Sequence, residues 1–162
     1  MEDLVRTAGE REILDAFLDS HRAVTVDKLR GLSEADARRR LVPSETTPIG
    51  LVKHLTGVER NWFQHILAGR PRDEIPGESR GGDESWQVSD TETVSATITA
   101  FEQTCAESRR ITAAHPLDHQ VPHPAGGEVS LRWIYTHLLR EHARHNGHAD
   151  ILREQIDGTT GA

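Results

Sequence analysis

The chain has 162 residues, 35% of them hydrophobic, and a formal net charge of −7 at pH 7. This length predicts a single domain over residues 1–162 with a sizeable core. An acidic balance without a basic patch argues against a nucleic-acid partner, and no apolar stretch approaches the length of a membrane span.

The N-terminal residues and the single cysteine indicate the compartment. Residues Met1 to Arg11 are charged and lack the apolar run of a secretory signal peptide. Cys105 is the only cysteine, so it cannot form an internal disulfide, which favours a reducing compartment. Its place in a helical pattern predicts a buried, inert thiol in preference to a nucleophile. These features predict a cytoplasmic protein.

The first half of the chain predicts two long helices separated by a short one. Apolar residues at helical intervals predict the first helix from about Glu10 to Leu32. Ser33, with Asp36 three residues on, resembles a capping box and begins a short piece over residues 34–41. Thr47 followed by Pro48 is typical of a helix start, and this second long helix is predicted to end near Ala68, before Gly69.

The segment after this helix has prolines, glycines and charges without a period, so residues 70–89 are predicted to form a long irregular loop. Trp86 either pins this loop over the helices or lines a pocket, and pinning is the preferred interpretation. Ser89 or Asp90 is predicted to cap a third long helix that extends to about residue 114. A second irregular connection follows over residues 115–128.

Four long amphipathic helices, counting one that begins after Ser130, predict an all-α fold, a four-helix bundle. The long connection between the second and third helices permits a crossover as well as an up-and-down path. Periodicity does not decide between the two.

The fourth helix, Leu131 to Gly158, carries four of the ten histidines. At about 100° per residue, an arc of roughly 80° contains His137, Glu141, His145 and His148. The apolar residues on or beside this arc are Ile134, Leu138, Ile151 and Leu152. Turning imidazoles and a carboxylate towards a core costs free energy unless they are paired or hold a metal. The arc therefore predicts a metal site.

The preferred ligands are His54, Glu141 and His145. Glu141 and His145 are one helical turn apart, so their Cβ atoms are separated by about 5–6 Å, and His54 lies on the inward face of the second long helix. Two imidazoles and a carboxylate suit zinc, nickel, iron or manganese, and three protein ligands leave a position open for water or substrate. His148 is an alternative candidate for the third ligand. Its other possible role is to interact with a ligand residue and hold it in place.

The remaining polar residues have open roles. Arg144 lies about 20° outside the arc, where it could hold an anionic substrate group or form a salt bridge to a nearby acid. His137 is equally well explained by a hydrogen bond to a backbone carbonyl. Surface or loop positions are predicted for His21, His65, His115, His119, His123 and His142. The sequence contains no G-x-S-x-G motif and no phosphate-binding loop.

Two segments together resemble the DinB-like superfamily: TTPIGLVKHLTGVERNWF, which contains His54, and SLRWIYTHLLREHARHNGHADILREQIDG. More narrowly, they resemble a branch named as a domain of unknown function, DUF664, which is common in actinobacteria. The segment GLSEADARRRLVPSETTPIGLV fits this branch as well, so the resemblance covers nearly the whole chain.

The resemblance implies a four-helix bundle with a crossover and one divalent metal. The implied ligands are a histidine on the second helix and two residues four apart on the last helix. These positions are His54, Glu141 and His145 here. Many relatives have histidine at the position of Glu141. A glutamate occurs there as well, for example in the mycothiol-dependent maleylpyruvate isomerase. Zinc is the expected metal, with nickel, iron or manganese as alternatives.

Characterised relatives are transferases and isomerases that use mycothiol or bacillithiol, and their metal is thought to bind the thiol as a thiolate. The implied function is a thiol-dependent transferase or isomerase that acts on a small electrophile, with Arg144 or His148 orienting that partner as catalytic residues. Two alternatives use the same site: a metal-dependent hydrolase or lyase of a small metabolite, and a non-catalytic, metal-stabilised binding protein or homodimer. Neither nucleic acid nor membrane is an expected partner.

Overall fold

The structure is a computed structural model that describes residues 5–161, so residues 1–4 and 162 of the predicted domain lie outside the described range. This range is mostly helical, as predicted. Its α-helices are α1 (Glu10–Leu29), α2 (Glu34–Ala37), α3 (Pro48–Glu59), α4 (Val94–Thr112) and α5 (Leu131–Asp157). Directly after α3 the chain continues as a π-helix, Arg60–Leu67. None of the helices described is long and apolar enough to cross a bilayer.

Three of the predicted helix starts are confirmed by their caps. The hydroxyl groups of Ser33, Thr47 and Ser130 each accept a hydrogen bond from a backbone N–H three residues later. Each bond satisfies a donor that has no partner within its helix. Gly158 ends α5 in the left-handed conformation, with φ of 78°, which glycine adopts without steric cost.

The predicted start of the third long helix is wrong. Helix α4 begins at Val94, and Thr93 is its cap, because the Thr93 hydroxyl accepts a hydrogen bond from Ala96 N–H. Neither Ser89 nor Asp90 has this role. Ser89 instead belongs to a preceding turn, in which its N–H donates to the Glu92 carboxylate at 2.7 Å. Two other predicted elements are shorter than expected, since α1 ends at Leu29 and α2 at Ala37.

The predicted irregular connection over residues 115–128 contains a small antiparallel hairpin. Its strands are β1 (Gln120–Pro122) and β2 (Glu128–Ser130), with Val121 opposite Val129. Val121 is buried against the main core cluster. Strands of three residues are too short to give a recognisable alternation of polar and apolar side chains, so the sequence did not indicate them.

The long helices pack so that α3 and α5 lie side by side. Helix α5 contacts α1 and α3, and α3 contacts α4. The interior is formed by two main apolar clusters: one includes Leu18, Phe63, Ile134, Tyr135 and Leu138, and the other includes Val26, Leu29, Ile49, Leu55, Phe101 and Cys105. Ile151, predicted beside the inward arc of α5, is instead 56% exposed.

A buried network of charged groups joins α1, α3 and α5. The Arg22 guanidinium donates two hydrogen bonds to the Glu59 carboxylate, at 2.8 and 2.7 Å. His142 Nε2 lies 3.0 Å from the same carboxylate. The pKa of Glu59 is lowered because Arg22 and His142 together outweigh the opposing effect of burial. The Arg22 and Glu59 side chains therefore form an ion pair inside the protein.

The surface position predicted for His142 is wrong, because the residue is fully buried. The prediction assigned one inward face to α5, but this helix packs against α1 on one side and α3 on another. His142 directly follows Glu141 on α5. Its side chain faces the interior and forms a hydrogen bond with the Glu59 carboxylate. The other five histidines predicted at surface or loop positions are half-buried: His21, His65, His115, His119 and His123.

The prediction of a buried thiol is confirmed. Cys105 is 3% exposed and lies in an apolar cluster with Phe101. Burial raises the pKa of the Cys105 thiol well above its ordinary value, and the nearby Glu59 carboxylate adds to this effect. The thiol is therefore protonated at neutral pH.

Replacing Glu59 by glutamine is expected to lower the free energy of unfolding by about 3–5 kcal/mol, because it leaves the Arg22 charge buried without a counter-charge. The measurement is urea denaturation followed by circular dichroism. A matched control is Glu107→Gln, which breaks an ion pair with the exposed Arg110. The control is expected to cost less than about 1 kcal/mol. Equal losses in the two variants would contradict a stabilising role for the buried pair.

Candidate metal centre

The structure brings together the three residues chosen as ligands from the sequence. His54 comes from α3, whereas Glu141 and His145 come from α5. One ligand atom from each residue lies within 4.8 Å of the others. His54 is 7% and His145 9% exposed, and Glu141 is half-buried. Such a cluster could hold a metal ion.

The packing of two helices sets this geometry. Glu141 and His145 are one turn apart on α5, and Glu141 Oε2 lies 3.6 Å from His145 Nε2. Across the interface, the rings of His54 and His145 meet edge to face with their centroids 4.7 Å apart. The cluster therefore depends on the register of α3 against α5.

The protonation states are those that metal ligands require. Burial lowers the pKa of both His54 and His145 to about 4, so both imidazoles are neutral at pH 7. Burial favours the protonated form of Glu141 as well, but the hydrogen bond from Arg140 and the nearby histidines outweigh it and lower the pKa of this carboxyl. The cluster at pH 7 thus offers two neutral nitrogen ligands and one carboxylate.

One buried atom supports a fit to a metal ion. His145 Nδ1 is buried and has no hydrogen-bond partner within residues 5–161. Burying a polar atom without a hydrogen-bond partner costs free energy. An imidazole whose nitrogen binds a cation avoids part of that cost. The donor set of two imidazoles and a carboxylate suits zinc, nickel, iron or manganese. These residues therefore fit a divalent cation.

Ser85, in a short 3₁₀ helix (Asp83–Trp86) before α4, fixes the orientation of His54. The Ser85 side chain is fully buried, and its Oγ lies 2.8 Å from His54 Nδ1. The single hydroxyl hydrogen of Ser85 is donated to the Gly82 carbonyl, so Oγ accepts the hydrogen bond from His54 Nδ1–H. The proton on Nδ1 leaves Nε2 with a free lone pair, which is the tautomer that binds a metal through Nε2.

Trp86 covers the cluster. Its indole stacks on the His54 ring, with the centroids 4.2 Å apart and the planes 14° apart, and it lies 5.5 Å from the His145 ring. Trp86 thus pins the loop over α3, which is the role preferred from the sequence. The indole also lines two surface cavities, so the alternative role of lining a pocket applies as well.

The other sequence candidates lie beside the cluster. Arg144 and His148 are exposed on α5, and the His148 ring is 5.4 Å from that of His145. For Arg144, the described range contains no salt-bridge partner. His137 is not one of the three clustered residues, but Arg140 Nη2 links it to Glu141 by donating to both side chains. Its ring stacks on Trp133, and its Nδ1 accepts the Arg140 hydrogen bond at 3.0 Å in place of the predicted bond to a backbone carbonyl.

Sequence reasoning missed Ser85 and Glu59. The loop around Ser85 has no period, so nothing in it indicated that this serine meets His54. Glu59 did carry a signal, because it is the one carboxylate in the largely apolar sequence of α3, PIGLVKHLTGVE.

We expect protein purified without added metal or a histidine tag to contain about one divalent metal ion per chain. His54→Ala, Glu141→Ala and His145→Ala are each expected to lose it, because each removes one of three ligands. The measurement is elemental analysis by mass spectrometry. The control is His65→Ala, since His65 lies in the π-helix that follows α3, is not part of the cluster and bonds to the Arg70 carbonyl. A metal-free wild type that fails to bind added zinc would exclude the site.

Ser85→Ala is expected to weaken zinc binding by about 10–100-fold, which is typical for loss of the partner of a ligating histidine. The dissociation constant is measured by competition with a chromophoric chelator. Ser108→Ala is the control, because Ser108 is also a fully buried serine, but it bonds to the Thr104 carbonyl within α4. Equal zinc affinities in the two variants would show that Ser85 does not position His54.

Comparison with known proteins places this sequence in a family. The sequence model of the family described as Mycothiol-S-transferase matches residues 13–158. A search of curated proteins gave no match. The family match covers α3, α5 and the loop that carries Ser85 and Trp86, so all residues of the cluster fall within it. Because the match spans nearly the whole chain, the protein belongs to the mycothiol-S-transferase family of DinB-like proteins.

Proposed function

We propose that this protein is a metal-dependent transferase that joins a mycothiol-type thiol to a small electrophile. His54, Glu141 and His145 hold one divalent cation, with zinc as the first candidate. Arg144 and His148 orient the electrophile. The helices form a four-helix bundle of DinB type with a crossover, and the contacts of α5 with α1 and of α3 with α4 and α5 support that arrangement.

The observation that carries the proposal is the buried cluster of two neutral imidazoles and one carboxylate within a chain of this family. Three protein ligands leave a coordination position for a further group. A cation bound there supplies positive charge that lowers the pKa of a nearby thiol, so that more thiolate is present at neutral pH. The thiolate is the nucleophilic form of the thiol.

The residues of this chain perform the remaining tasks. Ser85 holds His54 in the tautomer that keeps Nε2 free. Arg140 donates a hydrogen bond to Glu141 Oε1 at 3.0 Å, which keeps this carboxylate charged and oriented. In the transfer, the sulfur forms a bond to the electrophilic carbon, and the displaced electron pair departs with the leaving group. Arg144 and His148, exposed next to His145, can interact with that group.

One observation favours the non-catalytic alternative, in which a metal only ties α3 to α5. The indole of Trp86 stacks directly on His54, and His54 and His145 are both buried. A structural metal is enclosed in this way, whereas a catalytic one needs access. The two functions differ in whether a thiol can reach the metal.

Cobalt-loaded protein distinguishes these functions. Addition of mycothiol is expected to produce a sulfur-to-cobalt charge-transfer band in the near ultraviolet, because an open position admits the thiol. His148→Ala and Arg144→Ala are expected to retain the metal and the band but to transfer the thiol to 1-chloro-2,4-dinitrobenzene more slowly, by up to about 100-fold, because the electrophile is less well oriented. A wild type that holds cobalt but shows neither the band nor transfer would support the structural role.

A further inference from the structure

One segment of the chain, residues 76–87, closes the metal cluster, and we call it the covering segment. It carries Ser85, which bonds to His54 Nδ1, and Trp86, whose indole lies against the rings of His54 and His145. Both histidines are buried in this arrangement. Access to their ring nitrogens is therefore limited by how firmly this segment is held.

Few apolar side chains hold the covering segment in place. Trp86 is its one large apolar side chain, and Pro76 is exposed. The residues that flank the segment are anchored, since Ile75 is buried and Val88 packs against the cluster that contains Phe101. Segments with few buried apolar contacts open at a low cost in free energy. The covering segment is thus a strap that is fixed mainly at its two ends.

Space separates the covering segment from two of its neighbours. A cavity of about 540 Å³ lies between its Glu78 and Glu84 and the helix α4, which contributes Ala96 and Ala100. Two smaller cavities, of about 310 and 210 Å³, lie between Trp86 and residues 38–49. A movement of the segment away from α3 therefore breaks few contacts with these neighbours.

Glycine residues of α3 form the seat of the covering segment. A Cβ atom on Gly57 would collide with the Glu78 carboxylate and lie 3.2 Å from Gly81 N, and one on Gly50 would lie 3.2 Å from the Trp86 carbonyl oxygen. The Glu78 carboxylate is not free to move aside, because it accepts a hydrogen bond from Gly81 N–H. Gly50 and Gly57 are two helical turns apart on one face of α3. The segment approaches α3 closely because these two positions have no side chain.

Hydrogen bonds complete the closed position. Lys53 Nζ donates to the Gln87 carbonyl at 2.5 Å, and Arg60 Nη1 donates to the Glu78 carbonyl at 3.2 Å. Such bonds are replaced by bonds to water at a small net cost. The helices beneath the segment are held more firmly, because a buried ion pair joins α1 to α3.

We propose that the covering segment is a lid that opens over the metal cluster while the helices stay packed. Opening removes the Trp86 indole from His54 and at the same time breaks the hydrogen bond from His54 Nδ1 to Ser85. Access to the cluster and the orientation of one ligand are therefore linked, so a metal is held most firmly when the lid is closed. This link rests on the proposed function, whereas the opening is a property of the metal-free chain as well.

Thiol labelling of the metal-free protein tests whether the lid opens. Ser85 is fully buried against His54, and Cys105, the only native cysteine, is buried in the core. In Ser85→Cys, the introduced thiol is expected to react with dithionitrobenzoate at least about tenfold faster than Cys105, because local opening costs less free energy than global unfolding. Equal rates for the two thiols would overturn the proposal, since the segment would then open only when the protein unfolds.

A matched pair of glycines tests the seat in this Ser85→Cys background. Gly57→Ala favours the helix but crowds the covering segment, so labelling is expected to become about tenfold faster. Gly147→Ala is the control: a Cβ atom at this position of α5 meets nothing within 4 Å, so the rate should stay unchanged. Lys53→Met removes a bond to the segment, and the same direction is expected, which keeps the test valid if Gly57→Ala fails to fold. Unchanged rates in both variants would contradict the seat.

The link to the metal is tested by the rate at which an excess of a chromophoric chelator removes zinc from loaded protein with Ser85 intact. Gly57→Ala is expected to lose zinc about tenfold faster than the wild type, and Gly147→Ala at the wild-type rate. Faster labelling with unchanged zinc removal would overturn the link between the lid and the cluster. A wild type that binds no zinc would exclude the proposed function, while the labelling experiment still decides whether the lid opens.

Discussion

The buried carboxylate of Glu59 is the group on which the arrangement of the helices depends. Removing a charge from water costs several kcal/mol, and only well-placed partners offset that cost. Here the partners come from two other helices, Arg22 on α1 and His142 on α5. The cost is offset only when these three helices pack in one register, so the network selects that register. Glu59 lies five residues after His54, and His142 directly follows Glu141, so the same register brings the metal ligands together.

The elements most reliably predicted from the sequence are those specified by local chemistry. Ser33, Thr47 and Ser130 cap helices because a short hydroxyl side chain reaches an unpaired N–H three residues later, which requires only neighbouring residues. The long helices follow from apolar periodicity. The cap of α4 was mispredicted because Ser89, Asp90 and Thr93 are all suitable capping residues. The hydrogen bond from Ala96 N–H to the Thr93 hydroxyl identifies the cap, and Ser89 is bonded to Glu92 instead.

The three metal-ligand candidates could be chosen from the spacing of Glu141 and His145 and from the family resemblance. Their surroundings could not be predicted. Ser85 and Trp86 reach His54 from a loop whose sequence has no period, so no pattern relates them to α3. His142 was misplaced for a related reason, because helical periodicity identifies an inward face but does not reveal that a second helix covers the adjacent face.

The burial of Cys105 has a consequence for chemistry with small thiols. A protein that binds a thiol co-substrate encounters its disulfide form as well, and an exposed cysteine of the protein would then form a mixed disulfide with it. The only cysteine of this chain is 3% exposed, and burial raises its pKa. Exchange requires an accessible thiolate, and Cys105 provides neither the access nor the charge. The protein can therefore work in a pool of small thiols and disulfides without being modified by them at cysteine.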